Sequence, residues 1–191
     1  MPLLVALHGM GGDENSMFDS YANGLLKREA ERTGFLVVCP KGRDSASMYR
    51  GSAEQDVLDV MADVRRTYRV DPARIYLMGH SMGAIGTWKI APKYPDIWAA
   101  IAPFSGNGGP DTLERIRGVP EIIVHGDADP TVNVAGSRTM VAKLKELGTE
   151  VKYIEVPGGV HSDVVAPNMA AVIEFFDAHR KAAKGTSQQW R

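Results

Sequence analysis

Residues 79–83 read Gly-His-Ser-Met-Gly, directly after the apolar run Ile75-Tyr76-Leu77-Met78. Such a pattern suits a tight strand-to-helix bend that holds Ser81 at strained backbone angles. Side chains two residues before and after the serine would clash there, so glycine stands at 79 and at 83. A serine hydroxyl is a weak nucleophile at neutral pH and needs an adjacent general base. Imidazole serves near pH 7, and the chain has five histidines, at 8, 80, 125, 161 and 179. His80 neighbours Ser81 but projects away from its proton in such a bend. His8 and His125 each precede glycine at a strand end, where bracing a loop is the expected role. His179 lies near the end of the last helix, where a cation suits the helix dipole. His161, in the glycine-containing loop Pro157-Gly-Gly-Val-His-Ser-Asp163 after the last strand, is the expected base.

An imidazole base needs a carboxylate to orient it. The run Glu121-Ile-Ile-Val-His-Gly-Asp-Ala-Asp-Pro-Thr-Val132 offers Asp127 and Asp129. Asp129 is favoured because it lies further out on the loop, with Pro130 stiffening the chain behind it. Asp127 is then expected to make a turn hydrogen bond. A tetrahedral oxyanion needs backbone donors. Met82, opening the helix after Ser81, supplies the first N–H, and Met10, within the glycine-rich Leu7-His-Gly-Met-Gly-Gly12, the second. Met10 and Met82 are also expected to line the substrate pocket, since methionine fills irregular apolar sites. In the segment 41–52, Arg43 and Tyr49 are candidate substrate contacts, with ordinary loop roles as the stronger alternative. Trp88 is expected in the core.

Gly79, Gly83 and Gly86 also approach the spacing of a dinucleotide loop of the short-chain dehydrogenase kind. Two observations oppose that reading. Such a loop follows the first strand, and no tyrosine here is followed four residues later by lysine. A phosphate loop at residues 7–12 would need a Gly-Lys-Ser/Thr ending, which is absent.

These residues require a scaffold of parallel strands whose carboxyl ends meet. Short apolar runs rich in Val and Ile at 3–8, 36–39, 75–79, 98–104, 121–125 and 151–156 read as strands buried on both faces. Helices are expected at 14–32, 54–68, 81–94, 111–117, 134–147 and 167–181. In the second, Val57, Val60, Met61 and Val64 form one apolar face. The alternation predicts an α/β fold, a mostly parallel sheet of about six strands with helices on both sides. One domain over residues 1–183 is expected, followed by a frayed tail at 184–191. The first strand starts at residue 3, so its edge is either covered by other structure or used for self-association, giving a homo-oligomer.

Bulk properties narrow the partners. The chain has 191 residues, 44% hydrophobic, with 22 Lys and Arg against 23 Asp and Glu and a net charge of -1. No basic excess favours nucleic acid, and no apolar run reaches the ~20 residues of a membrane span. The N-terminus reads as a strand and not as a signal peptide, which places the chain as given in the cytoplasm; a secreted longer precursor is the alternative. The single Cys39 forms no internal disulfide.

Taken together, "LHGMGG", "GHSMGAIGTW", "HGDADPTV" and "PGGVHS" resemble, in order and over essentially the whole chain, the α/β-hydrolase superfamily. Within it the chain is similar to compact, lidless serine esterases of the feruloyl-esterase and polyhydroxybutyrate-depolymerase-like kind, and to the carboxylesterase/acyl thioesterase group. The resemblance implies a Ser81, Asp129, His161 triad. The family pattern H-G-x-x-D-x-x-V falls on His125, Gly126, Asp129 and Val132, which adds weight to Asp129. The residue after the first His-Gly, here Met10, is implied as an oxyanion donor. The resemblance further implies a small-molecule ester substrate, no metal or organic cofactor, and strands before "LHG" that this sequence does not contain. No long insertion separates residues 106 and 121 or 156 and 161, so no cap domain is expected. A prolyl-oligopeptidase-type peptidase and a non-catalytic hydrolase-fold binding protein are the rival readings.

Overall fold

The computed structural model describes residues 1–44 and 46–181, so the tail expected at 184–191 lies outside the described residues. Six strands form one sheet: β1 Leu3–Leu7, β2 Leu36–Val38, β3 Ile75–His80, β4 Ala100–Phe104, β5 Glu121–Gly126 and β6 Val151–Val156. Their order is β2-β1-β3-β4-β5-β6, and every neighbouring pair is parallel. Among the described residues five α-helices lie between or after the strands: α1 Leu25–Thr33, α2 Ser52–Thr67, α3 Met82–Lys93, α4 Ala135–Glu146 and α5 Val165–Ala178. The expected doubly covered parallel sheet is therefore present, and no cap interrupts the path from β4 to β5 or from β6 to α5.

Period-two alternation divides the core. Leu3, Val5 and Leu7 of β1 face one way and pack with Val57 and Met61 of α2, Trp88 of α3 and Leu144 of α4. Leu4 and Ala6 face the other way, with Leu26 of α1 and Val172 and Phe176 of α5. Each face thus buries its own stripe, and the central strands have no polar side to present to water. On α2 the expected stripe is turned slightly: Ala53, Val57 and Met61 are fully buried, while Val60 and Val64 are half-buried.

The strand order decides between the two alternatives for β1 in favour of cover by other structure. It is not an edge: Leu3 to Val5 register with Leu36 to Val38 on one side, and Leu3 to Leu7 with Ile75 to Gly79 on the other. Leu3 to Val5 are thus paired on both edges, and β1 is covered by other structure. The outer strands are β2 and β6.

The helix expected over 14–32 is broken. A π turn covers Ser16–Ser20 and a 3₁₀ turn Tyr21–Asn23, and α1 begins only at Leu25. Ala22, Asn23 and Gly24 have φ of 49°, 54° and 71°, left-handed values that no α-helix continues through. The Arg28 guanidinium donates to the carbonyls of Ala22 and Asn23, and the Tyr21 hydroxyl donates to the carbonyl of Ser162. Those longer-range bonds compensate the interrupted helical ladder. The helix expected at 111–117 is present as a 3₁₀ helix over Pro110–Ile116. Helix α5 starts at Val165, before Pro167, because a proline in the first turn removes no intrahelical bond. Among the described residues no helix is long and apolar enough to cross a membrane.

Glu121 opens β5 fully buried, and neither carboxylate oxygen has a hydrogen-bond partner in the protein. Burial therefore raises its pKa well above the usual carboxylate value of 4.5. A group with a raised folded pKa contributes stability that is complete below the unfolded value and is lost as pH climbs toward the folded one. Wild-type urea stability should fall from this source as pH rises above the ordinary carboxylate value of 4.5. In Glu121→Gln that part of the slope should vanish, so the difference between the two midpoints should grow with pH. Parallel midpoint curves would contradict this.

Candidate active site

The bend at Ser81 joins β3 to α3. Ser81 has φ 56° and ψ -115°, a conformation that costs on the order of 1–3 kcal/mol and persists only where the surroundings enforce it. The Ser81 N–H donates to the Phe104 carbonyl at 2.9 Å, and its own carbonyl accepts from Ile85 N–H at 3.0 Å. A Cβ at Gly79 would stand 2.3 Å from the Gly83 carbonyl, and one at Gly83 would stand 2.1 Å from the Leu7 carbonyl oxygen. Both glycines are therefore required by contact, as the motif suggested.

The three residues read as nucleophile, base and acid come together. Ser81 Oγ lies 2.8 Å from His161 Nε2, and His161 Nδ1 lies 2.7 Å from Asp129 Oδ2. Since Nδ1–H donates to the carboxylate, Nε2 carries the lone pair that can accept the serine proton. The Asp129 side chain is wholly shielded from solvent, and that of His161 is 17% exposed. Burial pulls the Asp129 pKa up, but hydrogen bonds from His161 and from the N–H groups of Val132 and Thr131 outweigh it, leaving the carboxyl below its ordinary value. Asp127 takes the other role: its Oδ1 accepts the Gly158 N–H at 2.6 Å, pinning the turn after β6.

Two loops must approach closely for this. A Cβ at Gly126 would stand 2.1 Å from the Gly159 carbonyl oxygen. Only glycine lets the Asp129 loop and the His161 loop touch there. The Ala128 N–H then donates to that same Gly159 carbonyl at 3.1 Å.

The remaining histidines brace. His8 ring nitrogens lie 2.8 and 2.9 Å from the carbonyls of Gly9 and Lys41. His80 Nε2–H donates to the His161 carbonyl at 2.9 Å, and the two rings are 4.9 Å apart. Burial pushes the His80 pKa below the ordinary imidazole value, partly offset by that carbonyl. Its grip on the His161 loop was not legible in the sequence, nor was that of Tyr21 on Ser162; only the aromatic at 21 and the histidine beside Ser81 could have hinted at them.

An open cleft of about 390 Å³ lies over Ser81 and His161, walled by Gly9, Met10, Met17, Tyr21 and Thr131. Met10 stands at the rim, 59% exposed. The other expected pocket residues do not line it. The Met82 side chain is 1% exposed and packs in the core beside Trp88, because the first turn of α3 turns it toward the sheet; only its backbone is left for the site. Tyr49 is fully buried, stacked under Gly42 and Gly86, with its hydroxyl 3.4 Å from the His8 carbonyl. Arg43 points to Asp56 on α2 at 3.5 Å. Among the described residues no group of three or more His, Cys, Asp or Glu could hold a metal ion.

Comparison with known proteins places the chain in a family. The family model for phospholipase/carboxylesterase matches residues 53–180. The chain is 33% identical over 135 residues to the bifunctional acetylxylan esterase/xylanase XynS20E of Neocallimastix patriciarum, covering 69% of this chain and 20% of that protein. It is 34% identical over 116 residues to feruloyl esterase B of Neurospora crassa, covering 54% of this chain and 38% of the other. The chain thus spans less than half the length of these relatives. Among solved structures, a thermostable esterase superposes with a TM-score of 0.84 at 26% identity, over 94% of this chain and 55% of that one. Esterase PE8 shares the fold, with a TM-score of 0.76 at 24% identity over 93% and 92% of the two chains. With two-thirds of its length matched by the family model, the chain belongs to the phospholipase/carboxylesterase family of α/β hydrolases.

Proposed function

We propose that this chain hydrolyses carboxylic esters through an acyl-enzyme formed on Ser81. The observation that carries the reading is the hydrogen-bond relay from Ser81 through His161 to Asp129. Ser81 Oγ attacks the acyl carbonyl as His161 Nε2 takes its proton. Asp129 holds the imidazole in the required tautomer and stabilises the imidazolium. The N–H groups of Met10 and Met82 stabilise the oxyanion. His161 then protonates the leaving alcohol, and a water deprotonated by His161 releases the acid. Every step is proton transfer and acyl transfer, so the mechanism requires no cofactor.

The open cleft suits an acyl group displayed on a larger alcohol. The names of the relatives, acetylxylan esterase and feruloyl esterase, support small acyl or hydroxycinnamoyl esters of carbohydrate as the substrate class. A fluorophosphonate probe should label wild-type protein covalently at Ser81, because only an activated serine reacts rapidly. In a panel of p-nitrophenyl acetate, methyl ferulate, hydroxybutyrate oligomers and peptide amides, the aryl acetate and the ferulate should be turned over fastest. Preference for the amides would replace this reading by a peptidase, and absence of labelling by a binding protein.

A further inference from the structure

His125 was expected only to brace a loop. It is fully buried at the carboxyl end of β5, and it reaches the acid of the relay from behind. Its Nε2 lies 3.2 Å from Asp129 Oδ2 and 2.9 Å from the Val132 carbonyl. Its Nδ1 lies 2.7 Å from Ser137 Oγ on α4, and that hydroxyl is 3.3 Å from the Gly106 carbonyl. We infer that His125 is a positioning residue for the relay: its Nε2–H donates to the Val132 carbonyl, which fixes the loop whose Val132 N–H holds Asp129 Oδ1, its ring nitrogen stands 3.2 Å from Asp129 Oδ2, and Ser137 holds its tautomer.

The inference rests on the triad reading above and on hydrogen-bond accounting. Nε2 faces two acceptors, a carbonyl and a carboxylate, so it must carry a proton. In a neutral imidazole Nδ1 is then an acceptor, and the single Ser137 proton goes to it at 2.7 Å in preference to the Gly106 carbonyl at 3.3 Å. Asp129 Oδ1 is held by the N–H groups of Thr131 at 2.8 Å and Val132 at 2.9 Å. These fix one oxygen but leave the carboxylate free to swing about it. Oδ2 is held by His161 at 2.7 Å, the very ring it must orient, and its other neighbour is the His125 ring nitrogen at 3.2 Å. With His125 present the loop carrying Val132 is tied down, and a ring N–H packs 3.2 Å behind Oδ2, closing the space into which the shielded carboxylate could swing. Without it, Oδ2 and the His161 ring can move together away from Ser81. His125 lines no part of the substrate cleft, so its effect must pass through Asp129.

A double-mutant cycle tests this, read by the rate of fluorophosphonate labelling and by kcat and KM on p-nitrophenyl acetate. His125→Leu should lower the labelling rate and kcat on the order of 5–100-fold, the range of coupling between contacting residues, with KM nearly unchanged. His125→Gln, which keeps a side-chain N–H donor, should recover most of the loss. In an Asp129→Ala background, His125→Leu should cost nothing further, since the group it positions is gone. Ser137→Ala deletes a single oxygen and keeps the fold; it should lower the labelling rate ~2–5-fold and be silent in the Asp129→Ala background. Additive losses in the cycle, a loss confined to KM, or no recovery with glutamine at an unchanged melting temperature would overturn the inference. If the His125 variants do not fold, wild-type rates in Ser137→Ala would overturn it. Wild-type protein that takes no probe would instead overturn the ester-hydrolysis reading beneath it.

Discussion

Ser81→Ala should lower the turnover of p-nitrophenyl acetate by ~10⁴–10⁶-fold and abolish fluorophosphonate labelling. Removing Oγ deletes the proposed nucleophile while leaving His161 2.7 Å from Asp129 and the proposed oxyanion donors in place. What survives is water attack on a bound ester, assisted by the hole and by general base. The fold should not notice. Alanine at 81 carries the same backbone strain at φ 56°, and only the hydrogen bond to His161 is lost. A net bond of ~1 kcal/mol corresponds to a melting shift of ~2–4 °C for a chain of this size. Circular dichroism melting therefore separates a chemical loss from a structural one. Hydrolysis near the wild-type rate in a folded Ser81→Ala protein would remove Ser81 from the mechanism.

Gly83→Ala should have the largest structural effect of any single methyl added to the elbow. The new Cβ would lie 2.1 Å from the Leu7 carbonyl oxygen and 2.8 Å from that of His8. Leu7 ends β1, paired with Gly79 of β3, and His8 follows it, with its ring held by the Gly9 and Lys41 carbonyls, so this backbone retreats only at a cost. Relief must come from moving α3 off the sheet. That would cost about 3–5 kcal/mol, a large share of the 5–15 kcal/mol typical of a domain. It would also carry Ser81 away from His161. Gly118→Ala is the control, since no atom lies within 4 Å of its added Cβ. Urea unfolding should show a much lower midpoint, or no soluble protein, for Gly83→Ala and a near-wild-type midpoint for Gly118→Ala. Equal midpoints would mean the elbow tolerates the side chain.

The two experiments address different levels. The first asks whether Ser81 is the reacting atom's owner. The second asks whether the bend that presents it is held by steric contact between α3 and β1. Only if both hold does the geometry of the relay explain an esterase activity.

The sequence by itself determined what depends on local signals. Buried parallel strands are continuous apolar runs, so all six strands could be read to within two residues of their ends. The elbow was legible because tight turns demand glycine at set offsets. The order Ser81, Asp129, His161 was legible because each side chain lies in a short glycine-containing or turn-rich segment at a strand's carboxyl end. Where the outcome depended on which segments meet, local signals failed. Strand order is set by pairing between residues far apart in the chain, and it placed β1 inside the sheet instead of at its edge. The apolar spacing of residues 14–32 suits a helix, but bonds from Tyr21 to Ser162 and from Arg28 to Ala22 and Asn23 break it. Tyr49 and Met82 carry no mark that distinguishes a pocket wall from a core. Burial between α2, α3 and β1 decided that, because their apolar surface is stabilised most where water is fully excluded. The same holds for His125: a histidine before glycine reads as a loop brace, and only the folding of α4 against β5 brings Ser137 to one side of its ring while the turn after β5 brings Asp129 to the other.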